Sequence, residues 1–210
     1  QALGLAHNLP DSIETAGNKR RLREVLTAAG LSQSRFDVLP IEGPAKNRVG
    51  FPCVVKPLAM SASRGVIRAD DQADFEAAFD RVAAIIRAED PGLRNPASRS
   101  ILVESFLPGV EVALEGLLDN GALTTLAIFD KPDPLDGPFF EETIYVTPSR
   151  LDSPKQEAIE RAVASAVGAV GLRSGPVHAE VRLDGHDAYV LEIAARSIGG
   201  LCGRTLRFGA

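Results

Sequence analysis

Apolar and polar residues alternate along some stretches of this chain and follow helical spacing along others, and the two periods predict different elements. Helical spacing runs through Leu22, Val25, Leu26 and Ala29, predicting a helix over residues 18–29 that Asn18 caps and Gly30 ends. It runs again through Phe75, Phe79, Val82 and Ile86, for a helix over 72–89. Ile159, Val163, Val167 and Val170 mark a third, over 154–170. Short apolar or alternating runs predict strands over 51–57, 66–68, 100–104, 110–118, 123–131 and 143–147. Asn120-Gly121 predicts a hairpin turn and Pro108-Gly109 a bend. Residues 1–14 read as a loop-like lead, 32–50 as irregular, and 59–65 and 92–99 as loops.

The clearest alternation comes near the end. Val177, Ala179, Val181 and Leu183 fall on one side of a strand, with His178, Glu180 and Arg182 on the other. A turn at Asp184-Gly185-His186-Asp187 then leads into a strand over 189–194. With the hairpin centred on His186, Glu180 opposes Glu192 and His178 opposes Ala194. Like charges directly opposed in a sheet are destabilising, and a divalent cation between them is the simplest reason for the pair. Two solvated carboxylates on an exposed face are the alternative. Arg196 continues the alternation ahead of Gly199-Gly200, and paired acids with an arginine suit a metal-bound phosphate.

Two other segments carry candidate chemistry. Lys19, Arg20, Arg21 and Arg23 crowd the first turns of the 18–29 helix, where cations oppose the macrodipole. Either some of them face an anion, or they form a solvated basic face. Residues 132–142, PDPLDGPFFEE, read as a mobile lid or an ordinary surface loop.

Composition narrows the class. At 210 residues, 45% hydrophobic and 24% charged, the chain is an ordinary globular sequence with room for one large domain or two lobes. A net charge of −5 argues against a nucleic-acid surface. Cys53 and Cys202 make no disulfide framework and lack metal-ligand spacing. No apolar run is long enough for a membrane span and no signal peptide is recognisable, so a cytoplasmic setting is expected. Beginning at Gln1 and ending soon after the last hairpin, the chain is expected to be an excerpt of a longer protein.

In their order and spacing, these segments resemble the ATP-grasp superfamily over residues 18–200. The branch is that of biotin carboxylase, carbamoyl-phosphate synthase and the amino-acid ligases. The runs ESFLPGVEVALEGLLDNG and HAEVRL…YVLEIAARSIGG are most similar to amino-acid and dipeptide ligases. The resemblance implies an α+β fold in which two lobes grip ATP between antiparallel sheets. Residues 31–104 would form the small lobe and 105–210 the large lobe with the metal site, and the 1–30 segment and helix would pack on the large lobe. Lys19 and Lys56 would meet nucleotide phosphates, with Ser63 in the loop over them. Glu104, Ser105, Phe106 and Leu107 would form the hinge that binds adenine, and Glu111 would meet the ribose. Glu180 and Glu192 would hold Mg2+, with Mn2+ as a stand-in. Arg196 would steady an acyl-phosphate or substrate carboxylate, and Lys131 would contact the nucleotide.

Two departures stand out. The loop over the phosphates has a single glycine, Gly65, beside Ser61, Ser63 and Arg64. Ala194 stands where an asparagine often completes the metal set, which puts a second magnesium in doubt unless a group such as His178 helps.

The implied reaction joins a small-molecule carboxylate to an amine through an acyl-phosphate, with ATP as phosphoryl donor. A bicarbonate-phosphorylating carboxylase and a degenerate nucleotide-binding module are the alternatives. No nucleic-acid or membrane partner is expected, and a homodimer through missing flanks is a candidate assembly.

Overall fold

Residues 53–57 are buried at every position, as a strand is when both of its faces are covered. The structure, a computed structural model, describes residues 6–200 and 202–204. This strand, β2 (Cys53–Pro57), lies between β3 (Ile67–Ala69) and β4 (Ser100–Ser105). With β1 (Phe36–Pro40) on the far side of β4, they form an antiparallel sheet of order β1-β4-β2-β3. One face packs on α3 (Gln72–Glu89), whose Phe75, Phe79, Val82 and Ile86 meet Cys53, Val55, Ile101 and Val103. Each such side chain contributes roughly 1.5–3 kcal/mol on burial, so the stripe seen in the sequence is what holds the helix. Asp71 starts it by accepting a hydrogen bond from the Asp74 N–H.

A second antiparallel sheet follows. β5 (Val110–Asp119) and β6 (Ala122–Asp130) form a hairpin about Asn120 and Gly121. β7 (Gly175–Asp184) and β8 (Asp187–Ala194) form another, and the order is β6-β5-β7-β8. One face is covered by α1 (Pro10–Ala16), α2 (Lys19–Ala28) and α4 (Ser153–Val170). Leu22, Leu26, Ile159, Val163 and Val167 pack there on Val112, Leu114, Val177, Ala179 and Val181. Asn18 caps α2 by accepting from the Arg20 and Arg21 N–H groups. Gly171, in the left-handed region, ends α4.

Three segments differ from the sequence reading. Residues 10–16 are helical, not a loop-like lead: Pro10 opens the helix and Ser12 Oγ ties it to the Gly171 carbonyl at 3.1 Å. Residues 36–40 are a strand within the segment read as irregular. Pairing with β4, from Phe36 opposite Glu104 to Pro40 opposite Ser100, creates it, and no local pattern announced it. Residues 143–147 are not a strand, and only a bridge between Val146 and Asp130 remains.

The last hairpin keeps its expected pairing by a different route. Its turn is Gly185-His186, with Asp184 opposite Asp187, and a bulge at Leu191 then restores the register. Glu180 therefore opposes Glu192, and His178 opposes Ala194.

Candidate active site

Between the two sheets lies a cleft open to solvent. Successive side chains of a strand point to opposite faces, so each sheet gives its helices the apolar residues and the cleft the polar ones. The first sheet contributes Val54, Lys56 and Glu104, and the second Glu111, His178, Glu180, Arg182 and Glu192.

Lys56 and Glu104 are 7% and 3% exposed and form an ion pair. The other Glu104 oxygen accepts from Nε of Arg23, on α2. Arg23 is 1% exposed and also donates to the Val190 carbonyl at 3.1 Å and the Leu191 carbonyl at 2.8 Å. Burial lowers the Lys56 pKa, an effect the Glu104 charge opposes. Burial alone would raise the Glu104 pKa, but the Arg23 and Lys56 charges bring it down to about 2. Of the four cations at the start of α2, Lys19 faces the cleft and Arg23 is buried against Glu104, so those two do meet anions. Arg20 and Arg21 instead pair at the surface with Glu24, Asp11 and Glu14.

Lys19 Nζ donates to the Met60 carbonyl at 2.7 Å and lies 3.1 Å from Glu192 Oε2. Lys131 Nζ lies 2.7 Å from Glu111, 2.5 Å from Glu142 and 3.4 Å from Glu180. Burial opposes the Lys131 charge, yet Glu180, Glu111 and Glu142 hold its pKa above the ordinary value. Glu111, whose pKa burial raises despite Lys131, also pairs with Arg182 at 3.2 Å. The three carboxylates around Lys131 are close enough to share one metal ion, but Lys131, Arg182 and His178 already place positive charge among them.

His178 Nδ1 is 2.5 Å from Glu115 Oε1, and its Nε2 is 3.7 Å from Glu180 Oε1. Burial works against its charge, and those two carboxylates nevertheless raise its pKa to about 9. Burial would likewise raise the Glu180 pKa, but His178 beside it and the Lys131 charge lower it to about 2. Thus Glu180 and Glu192 are opposed without being uncompensated. Lys19, Lys131 and His178 supply the positive charge, which corrects the argument from repulsion in the sequence. Glu115 Oε2 also accepts from the Ile198 N–H at 2.9 Å and so anchors the bend that follows Arg196.

The remaining candidates divide. Ser63 lines the cleft in a turn where Ala62 and Ser63 both have positive φ. Arg64 does not line it and pairs with Glu89 at 2.7 Å. Phe106 and Leu107 line the cleft, and the Phe106 N–H donates to the Pro52 carbonyl at 3.0 Å. The Leu107 carbonyl accepts from Arg182 at 2.8 Å, and its N–H has no partner among the described residues. Arg196 is exposed at the cleft, donating to the Ser197 carbonyl at 2.9 Å. Lys131 meets the cleft only through its carboxylate partners. Glu115, Glu142 and Tyr145, which donates to Glu142, carry no signal in the sequence as site residues, and Arg23 stands out there only as one of four basic residues on α2.

The 132–142 segment closes one side. Leu135 and Phe140 are buried with Val54, Val66 and Phe106. The Arg68 N–H donates to the Pro138 carbonyl at 2.9 Å, and Phe139 bridges to Ile67 on the edge of the first sheet.

This arrangement has relatives. Alanine–anticapsin ligase of Bacillus subtilis is 26% identical over 215 residues, 95% of this chain and 45% of that protein. D-alanine–D-alanine ligase of Stutzerimonas stutzeri (strain A1501) is 30% identical over 167 residues, 75% of this chain and 48% of that one. The crystal structure of an L-amino acid ligase from Bacillus licheniformis matches with a TM-score of 0.77 and 33% identity, over 95% of this chain and 45% of that one. The chain thus spans about half the length of these relatives. The ATP-grasp domain matches residues 49–205, which include every strand of the two sheets except β1, and the chain belongs to that family.

Proposed function

We propose that the protein is an ATP-dependent ligase that joins a carboxylate to an amine, with amino acids as the substrate class. A substrate carboxylate oxygen attacks the γ-phosphorus of ATP, the bond to ADP breaks, and an acyl-phosphate forms. The amine then attacks the acyl carbon, phosphate leaves, and the amine proton passes to solvent. Such phosphoryl transfer depends mainly on positioning and charge compensation. The observation that carries this reading is that Lys19, Lys56, Glu180 and Glu192 all line one cleft. Family membership and the likeness to amino-acid ligases support it.

In this reading Lys19 and Lys56 compensate phosphate charge, Ser63 lies over the phosphates, and the Leu107 N–H is a donor for adenine. Glu111 borders the ribose. Arg196 steadies the acyl-phosphate, and Lys131 keeps the acid row charged. Glu180 and Glu192 form an oxygen-only donor set of the kind that suits Mg2+ or Mn2+, and these two residues would hold it. When bound, the ion offsets charge on the phosphoryl oxygens. The lobes, residues 31–104 and 105–210, would close over the reactants, with the 1–30 segment on the larger. A cytoplasmic setting and a homodimer belong to the same proposal.

The test is release of ADP when the protein is mixed with ATP, Mg2+ and a panel of amino acids. Amino-acid-dependent ADP together with a new amide product is expected. ADP formed only with bicarbonate would favour a carboxylase, and nucleotide binding without ADP a degenerate module.

A further inference from the structure

Arg23 is only 1% exposed, although its side chain is charged and belongs to no apolar stripe. It sits four positions after Lys19 on α2, one helical turn along, and lies buried behind the cleft residues Lys56 and Glu104. Its three hydrogen bonds reach two different sheets. Nη1 and Nη2 donate to consecutive carbonyls, Val190 and Leu191, at the bulge of β8, while Nε donates to Glu104 on β4. Glu104 in turn holds Lys56 with its second oxygen. A planar guanidinium has a fixed fork of donors, and a lysine in its place has a single point charge. With two donors fixed by backbone carbonyls, the direction of the third is set, and so is the Glu104 carboxylate.

We propose that Arg23 is a positioning residue for ATP, acting through Glu104 to hold the Lys56 ammonium where it meets phosphate. The inference rests on the reading of Lys56 as a phosphate contact. Three features support it. Lys56, Glu104 and Arg23 are all nearly inaccessible, so solvent cannot orient them. The Glu104 carboxylate stays ionised at neutral pH because of Arg23 and Lys56. The chain of contacts also joins a helix of the second sheet to the strand of the first that carries Lys56, so the ammonium is placed relative to both walls.

The experiment measures affinity for the Mg2+ complex of a non-hydrolysable ATP analogue by calorimetry, with unfolding midpoints as the check on folding. Arg23→Lys keeps the charge and loses the fork, so it should remain folded and bind roughly tenfold or more weakly. The pair Arg23→Met with Glu104→Gln removes the guanidinium together with its acid and leaves Lys56 as the one ionisable group of the three. It should also fold and bind similarly weakly. Because Arg23 acts through Lys56, Arg23→Lys should cost little further affinity in a Lys56→Ala background. Wild-type affinity in both Arg23 variants, or losses that simply multiply with Lys56→Ala, would overturn the inference alone. Wild-type affinity in Lys56→Ala would overturn the phosphate reading, and the inference with it.

Discussion

Glu104 is only 3% exposed and still carries its charge, because Arg23 and Lys56 act on it from two sides. Burial pushes its pKa up, and those two cations bring it to about 2 from an ordinary 4.5. A depressed folded-state pKa contributes stability above the unfolded value, and that contribution is lost as pH falls toward the folded one. The wild type should therefore lose on the order of 3 kcal/mol between about pH 4.5 and pH 2 from this group. Urea denaturation across that window should show a shallower loss for Glu104→Gln, which starts less stable at neutral pH with the Arg23 and Lys56 charges left without their acid. Glu192 differs. Its side chain is 27% exposed and its pair with Lys19 is 3.1 Å long, so Glu192→Gln should change stability by less than about 1 kcal/mol. Mg2+-dependent ADP formation should collapse in the same variant. Turnover at the wild-type rate would show the acid to be a solvated surface group. The sequence displayed Glu180, Glu192, Lys19 and Lys56 because each stands in a regular pattern or at the end of an element. Arg23 and Glu142 could not be read that way. Arg23 meets Glu104, Val190 and Leu191 across 81 to 168 positions, and Glu142 meets Lys131 from an irregular segment.

At the scale of elements, amphipathic periods located α2, α3 and α4 well because their burial is periodic. α1 and β1 depend on partners far along the chain, Gly171 for one and β4 for the other. The bulge at Leu191 was invisible for the same reason, since only the paired strand reveals an extra residue. The 132–142 segment was read as either a lid or a surface loop, with closure over substrate expected rather than core packing. The structure gives it an apolar anchor as well: Phe140 and Leu135 pack on Val54 and Phe106, and Pro138 pairs with the backbone of β3. A segment anchored at both walls should become harder to nick when a ligand draws the walls together. Limited proteolysis within residues 132–142 should thus slow on addition of Mg2+, nucleotide analogue and amino acid. Phe140→Ala should raise the ligand-free cleavage rate by weakening the anchor. Equal cleavage with and without ligand would mark the segment as a plain surface loop.

For the molecule as a whole, the relation between the two sheets is set where the chain passes from β4 to β5, at residues 106–109. Gly109 has φ of +98°, and a Cβ built there would lie 1.7 Å from the Leu183 carbonyl oxygen on β7. No side-chain rearrangement can relieve a clash with backbone, so Gly109→Ala must move the crossing segment away from β7. Leu107 would move too, although Arg182 holds its carbonyl at 2.8 Å. The variant should therefore lose more than conformational strain. Gly185 is the control: its φ is +62° but a Cβ there meets nothing within 4 Å. Gly185→Ala should cost roughly 1–2 kcal/mol, the ordinary penalty for an L-residue in the left-handed region, and should bind nucleotide analogue as the wild type does. Gly109→Ala should cost clearly more in urea denaturation. Among the molecules that remain folded, it should also bind the analogue more weakly, because the Leu107 N–H and the opposing walls are no longer in register. If the two variants matched in both measurements, the close approach of Gly109 to β7 would have no part in setting the cleft.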